Sequence, residues 1–325
     1  MGGEAEAVCR NRSVRERAVK RALVTGAFGF VGRHVALALA REGFDVAGIG
    51  HGDWAMAGVS GRASDWGISA WHSADVDTAS LVEHGGTPDL IVHCAGSGSV
   101  PYSLERPRED FVRTVDATLA VADFIRLQAP AARLVLPSSA ATYGKVEAMP
   151  IGIDAPLRPL SPYGVHKKVA EDLVRSYCAH FGLNAAIVRL FSVYGVGLRK
   201  QLLWDACRKF ADGNPQFGGD GQETRDWLHV EDAAGLMVAA AATASTLCPT
   251  YNGGTGAGVP VQQVVTRLAA RLGGPEPRFT GVTRPGDPRD FRADVAEALA
   301  IGWRPRRALD EGLDEYADWF AQGAA

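Results

Sequence analysis

Tyr163 and Lys167 lie four positions apart, a spacing that puts two side chains on one face of a helix. A positive charge beside a phenol favours the phenolate. Tyr163 is therefore a candidate base, able to take the proton of a hydroxyl while hydride leaves the same carbon. Ser139 closes the pair Ser138-Ser139 after a short apolar run, where it would hydrogen-bond the same oxygen. Lys167 would also hold the ribose hydroxyls of a nicotinamide. A tyrosine and a lysine at this spacing are common in helices. The serine pair at a strand end and a glycine loop upstream make the combination specific for reversible hydride transfer.

That loop is Val24-Thr25-Gly26-Ala27-Phe28-Gly29-Phe30-Val31-Gly32, with glycines at every third position. It follows one apolar run and opens a helical one. Gly26 permits a tight turn, Gly29 lets the backbone approach a pyrophosphate, and Gly32 lets helix and strand pack closely. The free N–H groups of the helix start favour the phosphates. Cofactor contacts are expected at Gly26, Phe28, Gly29, Phe30, Gly32, His51, Asp75, Val76, Ala95 and Lys167. An acid for the ribose 2′-hydroxyl usually ends the second strand, but this chain has Gly50 and then His51. A small residue followed by an imidazole leaves room for a 2′-phosphate, so the cofactor is NAD or NADP with a tilt toward NADP. Asp75-Val76 resembles a loop that caps an adenine ring.

The elements that must position these residues alternate. Strands are expected at Arg21–Thr25, 46–49, Leu90–His93, 134–137 and 185–190, and helices at 31–42, 110–128 and 169–181. Short apolar strands separated by amphipathic helices imply an α/β fold, a Rossmann-type doubly wound parallel sheet. Ligands of such sheets sit beyond the carboxyl ends of the strands, where the polar and glycine-rich residues cluster. From about Tyr194 the character changes. The expected division is an extension over 1–19, a dinucleotide-binding domain over 20–193, and a smaller C-terminal substrate lobe over 194–325. Part of that lobe, near 230–244, returns to the sheet.

Composition sets the bounds. The chain has 325 residues, 46% hydrophobic and 22% charged, with a net charge of -3. This is an ordinary globular composition, without a strong field for nucleic acid or an anionic membrane. Five cysteines show no CxxC pair, which suggests reduced thiols in a cytoplasmic protein and no metal. The first twenty residues carry Arg10, Arg12, Arg15 and Arg17 but no apolar core, unlike a signal peptide. No segment approaches the roughly 20 apolar residues of a membrane span.

Taken together, these motifs resemble the extended short-chain dehydrogenase/reductase family, of nucleotide-sugar epimerase and dehydratase type, from about residue 20 to 320. The second half adds Arg189-Leu190-Phe191-Ser192-Val193-Tyr194-Gly195, Gly219-Asp220-Gly221, Thr224-Arg225-Asp226-Trp227-Leu228-His229-Val230, Tyr251-Asn252-Gly253-Gly254 and Arg284-Pro285-Gly286-Asp287. The resemblance implies that Ser139, Tyr163 and Lys167 are catalytic. It implies that Arg225 and Arg284 grip a sugar-nucleotide diphosphate, as a planar fork of donors suits phosphate. Ser192, Asp287 and Phe217 would complete the substrate contacts, with Asp287 at the ribose and the Phe217 ring on the base. It also implies a homodimer through two helices per subunit.

Three departures from the pattern stand out. Ala140 and Ala141 replace the acids with which 4,6-dehydratases eliminate water. Ser192 and Thr114 stand where relatives often have asparagine. Phe291 lies where some hexose epimerases have a bulky gate beside the sugar, which hints at a sugar without a large 2-acetamido group. Two enzyme readings remain, a 4-epimerase working through a transient 4-keto sugar and an NADPH-dependent 4-ketoreductase. A non-catalytic nucleotide-binding scaffold is a third reading, which the presence of both Tyr163 and Lys167 opposes.

Overall fold

The computed structural model describes residues 19–54, 61–282 and 289–324. Its frame is built from strands β1 (Arg21–Thr25), β2 (Asp45–Gly50), β3 (Ile68–Ser73), β4 (Leu90–His93), β5 (Arg133–Ser139), β6 (Asn184–Leu190) and β7 (Thr250–Gly253). They form one seven-stranded sheet in the order β7-β6-β5-β4-β1-β2-β3, with every pairing parallel. Helices cover both faces, so the central strands are apolar on both sides. Alternate residues serve opposite faces. Val24, Val92, Val135 and Val188 meet α1 (Phe30–Arg41) and a later helix, Val230–Thr243. Leu23, Ile91, Leu134, Leu136 and Ile187 meet α2 (Thr78–His84) and two further helices, Ala117–Gln128 and Pro162–Phe181.

The chain runs outward from β1 through β2 to β3, then restarts at β4 on the other side of β1. The order reverses between β1 and β4, which is where an open α/β sheet leaves a crevice for a ligand. β3 and α2 were not anticipated. β3 reads Ile-Ser-Ala-Trp-His-Ser and is largely open on the sheet edge, so it carries no apolar run to announce it. The helix expected over 110–128 is divided. α3 (Val100–Glu105) and α4 (Pro107–Phe111) precede a π-helical turn, Val112–Asp116, and α5 (Ala117–Gln128) follows. Such a turn inserts an extra residue into the helical spiral and often marks a functional site.

The remaining lobe surrounds a two-strand pair, Ser192–Tyr194 with Trp227–His229. α6 (Pro162–Phe181) ends the first half, and α7 (Gln201–Ala211) belongs to the lobe. Tyr194, Leu203, Phe210, Phe217, Leu268 and Tyr316 fill its core. The helix Val230–Thr243 leaves the lobe and packs on α1 and the sheet, and β7 then joins β6. Among the described residues, no helix is long and apolar enough to cross a membrane.

Candidate active site

Two devices bring Tyr163 to Ser139. Ser161 caps α6, its Oγ accepting from Gly164 N at 3.2 Å, and Pro162 occupies the first turn. Gly164 then lets the helix start approach the loop after β5, since a Cβ there would lie 2.6 Å from Ala141 O. Tyr163 N donates to Ser103 Oγ at 3.0 Å, tying α6 to α3. Ser139 Oγ accepts from Ala141 N at 3.2 Å, so its own proton remains to be given. It hydrogen-bonds the Tyr163 phenol.

The expected lowering of the Tyr163 phenol is not observed. Burial pushes its pKa up, the Ser139 hydrogen bond pulls it down, and the Asp110 carboxylate pushes it up again. Lys167 is one helical turn away and buried, its Nζ donating to Pro137 O at 3.3 Å. Burial lowers the Lys167 pKa, while Cys94, Asp110 and Glu171 raise it. Buried charges are costly in both states. Burial therefore favours a neutral phenol even beside Lys167.

A hydrogen-bonded row crosses the sheet beneath these groups. Thr118 Oγ1 donates to Thr114 O at 2.6 Å, so it accepts from His93 Nε2 at 3.2 Å. The other ring nitrogen then accepts from Thr25 Oγ1 at 2.7 Å. His93 is held neutral, pushed down to about 3 by burial and then by Lys167. Sequence reasoning missed this row, because a lone histidine at a strand end looks like any other strand residue.

The glycine loop forms a cradle that side chains would fill. Gly26 sits at φ +66°, and a Cβ on it would lie 2.7 Å from Ala95 N. A Cβ on Gly32 would lie 2.2 Å from Gly26 O. The first turn of α1 has no side-chain cap at Gly29, so its N–H groups are free for a pyrophosphate. These features fit a dinucleotide. Phe28 packs edge-on against Trp54 at 4.9 Å, and Phe30 lies against the small lobe's core. Val76 is half-buried against the sheet. His51, expected to meet a 2′-phosphate, has its Nε2 2.6 Å from Asp75 Oδ1. That carboxylate would repel a phosphate, so the tilt toward NADP loses its physical basis. Asp75, expected over an adenine, is engaged by the same contact.

The substrate-side residues are less gathered. Ser192 and Arg225 are half-buried on short strands of the lobe, and Arg225 Nη1 donates to Thr224 O at 2.8 Å. Phe217, expected to stack on a base, has its ring buried in the lobe's core beside Phe210 and Phe279, with Lys209 Nζ 4.9 Å from the ring centre. Arg284 and Asp287 lie outside the described residues. Asp226 is internal to the lobe, accepting from Thr255 N, Thr255 Oγ1, Gly256 N and Ala293 N. Phe291 stacks obliquely on Phe191 at 5.2 Å. Lys200, not anticipated, begins α7 and reaches across to the loop after β4, where a Cβ on Gly98 would lie 3.2 Å from its Nζ.

The arrangement matches known proteins over most of its length. The model of the NAD dependent epimerase/dehydratase family matches residues 22–254. UDP-glucose 4-epimerase of Azospirillum brasilense is 31% identical over 322 residues, covering 90% of this chain and 89% of that protein. UDP-glucose 4-epimerase of Corynebacterium glutamicum is 31% identical, covering 87% and 90%. Among solved structures, MoeE5 in complex with UDP-glucuronic acid and NAD superimposes with a TM-score of 0.82 at 30% identity, covering 93% of this chain and 99% of that one.

Proposed function

The chain belongs to the NAD dependent epimerase/dehydratase family, and on that premise we propose that it is an NAD-dependent 4-epimerase of nucleotide-diphosphate sugars. The observation that carries this reading is the convergence of Ser139, Tyr163 and Lys167 beside the glycine cradle at the sheet's switch point. Gly26, Gly29, Gly32 and the start of α1 hold the cofactor, and Lys167 holds its nicotinamide ribose. When bound, oxidised NAD supplies a hydride acceptor and a positive charge that favours the phenolate. Tyr163 takes the proton of the sugar's 4-hydroxyl and later returns it. Ser139 donates to the same oxygen throughout. The proton balance closes within one turnover, so the cofactor has no need to leave. Ala140 and Ala141 cannot move a proton, which supports epimerisation over dehydration. Arg225, Ser192, Arg284 and Asp287 serve the nucleotide diphosphate.

Denaturing freshly purified protein should release NAD in near-equal amount, identified by mass spectrometry. The same preparation should interconvert UDP-glucose and UDP-galactose without added cofactor. An empty protein that consumes NADPH with a 4-keto sugar would replace this reading by the ketoreductase.

Two copies pair through the outer faces of α5 and α6. Leu119, Leu127, Val165 and Phe181 of these helices are exposed, as are Phe111 and Val112 ahead of α5, and exposed apolar residues on neighbouring helices suit an interaction site. Light scattering should give twice the mass of one chain, and Leu127→Asp with Phe181→Asp should halve it. An unaltered mass would remove this face as the interface.

A further inference from the structure

One buried acid near the site has no place in the reaction described so far. Asp110, on α4, is 0% exposed. Its Oδ2 lies 2.5 Å from Nδ1 of His166, the residue before Lys167 on α6. Its Oδ1 is buried and accepts no hydrogen bond from any described group. A buried carboxylate oxygen without a donor is costly unless positive charge faces it. The π-helical turn that follows α4 carries Thr114 against Gly96, and a Cβ on Gly96 would lie 3.6 Å from Thr114 Oγ1 and 3.7 Å from Lys167 Nζ. α4 and this turn both pack on α6, so Asp110 is pressed onto the helix that carries Tyr163 and Lys167.

The other groups around that pair are already discharged. Glu171 is bound by Arg189 at 2.7 Å. The Cys94 thiol is pushed up to about 12 by burial and stays protonated. His93 on the adjoining strand is neutral. Ser139, Thr114 and the Pro137 carbonyl carry no charge. Glu109 and Arg113 of the same segment pair with each other at 3.8 Å on its outer side. Among the described residues, Asp110 is the one carboxylate near the pair whose second oxygen is left without a donor.

We infer that Asp110, oriented by His166, is the buried counter-charge of the Tyr163–Lys167 pair, a positioning residue that sets the pH window in which that pair moves a proton. The inference rests on the roles given to Tyr163 and Lys167 above. The sign is fixed by charge. A carboxylate stabilises the ammonium and opposes the phenolate, so it holds protons on both groups. Removing its charge lowers the pH at which each lets go. Asp110 does act in this direction on both groups.

The test follows Tyr163 itself and needs no substrate. Phenolate absorbance is titrated in NAD-loaded protein, and the Tyr163→Phe curve is subtracted from each. Asp110→Asn should move the midpoint to lower pH by about half a unit or more. His166→Asn, whose amide nitrogen can replace Nδ1, should leave it near the wild-type value. A purely structural Asp110 would change thermal stability without moving the midpoint. Should Asp110→Asn fail to fold, Asp110→Ser removes the charge in a smaller side chain and is held to the same shift. An unmoved midpoint in the folded variant overturns the inference alone. A wild-type curve with no Tyr163 titration removes the base assignment and the inference with it.

Discussion

In NAD-loaded protein, Tyr163→Phe should lower kcat by roughly a thousandfold, the scale of a lost general acid–base, while NAD stays bound. That loss corresponds to about 4 kcal/mol in the barrier. The neighbours are poorly placed to substitute. Ser139 Oγ already accepts from Ala141 N, so it offers a proton rather than taking one. Lys167 Nζ donates to Pro137 O, and as an ammonium it has no lone pair. His93 is buried with both ring nitrogens engaged by Thr25 and Thr118. Phenylalanine keeps the ring's packing, and Tyr163 N still meets Ser103, so the helix start should hold its place. KM for the nucleotide sugar should change little, because the phenol contributes mainly in the transition state. Activity within a few-fold of wild type would sink the proposed chemistry.

Much of this site was legible because its chemistry is local. The cradle of Gly26, Gly29 and Gly32 is one turn of chain, and Tyr163 and Lys167 share one helix. Strands β1, β4, β5 and β6 could be read because both faces are covered and their residues are almost all apolar. What escaped depends on contacts distant in sequence. β3 lies on an edge and has no reason to be apolar. The return of 230–244 to the sheet is expected from the sequence, but the edge strand β7 that follows it reads Thr-Tyr-Asn-Gly, and no apolar run announces it. The division of 110–128 follows from packing beside α6, not from helical spacing. The resemblance alone points to Phe217 as a base contact, and it carries no information on how deeply the lobe's core buries that ring. The phenol of Tyr163 was expected to be acidified by Lys167, but burial opposes ionisation of both groups. Motif spacing fixes which residues meet, and solvent exclusion decides their charge.

The largest expected effect on stability lies one layer behind the catalytic groups. Arg189 Nε and Nη2 bind both oxygens of Glu171, with contacts of 2.7 to 3.2 Å. Its Nη1 donates to Tyr143 Oη at 3.0 Å and Ile153 O at 2.9 Å. Ser138 Oγ donates to Glu171 Oε1 at 2.6 Å. Tyr143 Oη donates to Asn252 Oδ1 at 2.7 Å, and Asn252 Nδ2 reaches Ile151 O at 2.8 Å. One network thus joins β5, α6, β6 and β7. The Arg189 and Glu171 side chains are 4% and 0% exposed. Burial alone would lower the Arg189 pKa, but Glu171 outweighs it and the pKa is raised. Arg189→Met would leave Glu171 as an uncompensated buried charge and should cost about 3–5 kcal/mol in urea unfolding. Adding Glu171→Leu should restore much of the stability, since an apolar pair can replace a buried ion pair of similar volume. A loss below about 1 kcal/mol at neutral pH would mean that water reaches Glu171. Because Glu171 is one turn beyond Lys167 and Ser138 adjoins Ser139, the double variant should regain stability more fully than kcat. In that case the network holds the catalytic helix in register as well as folded.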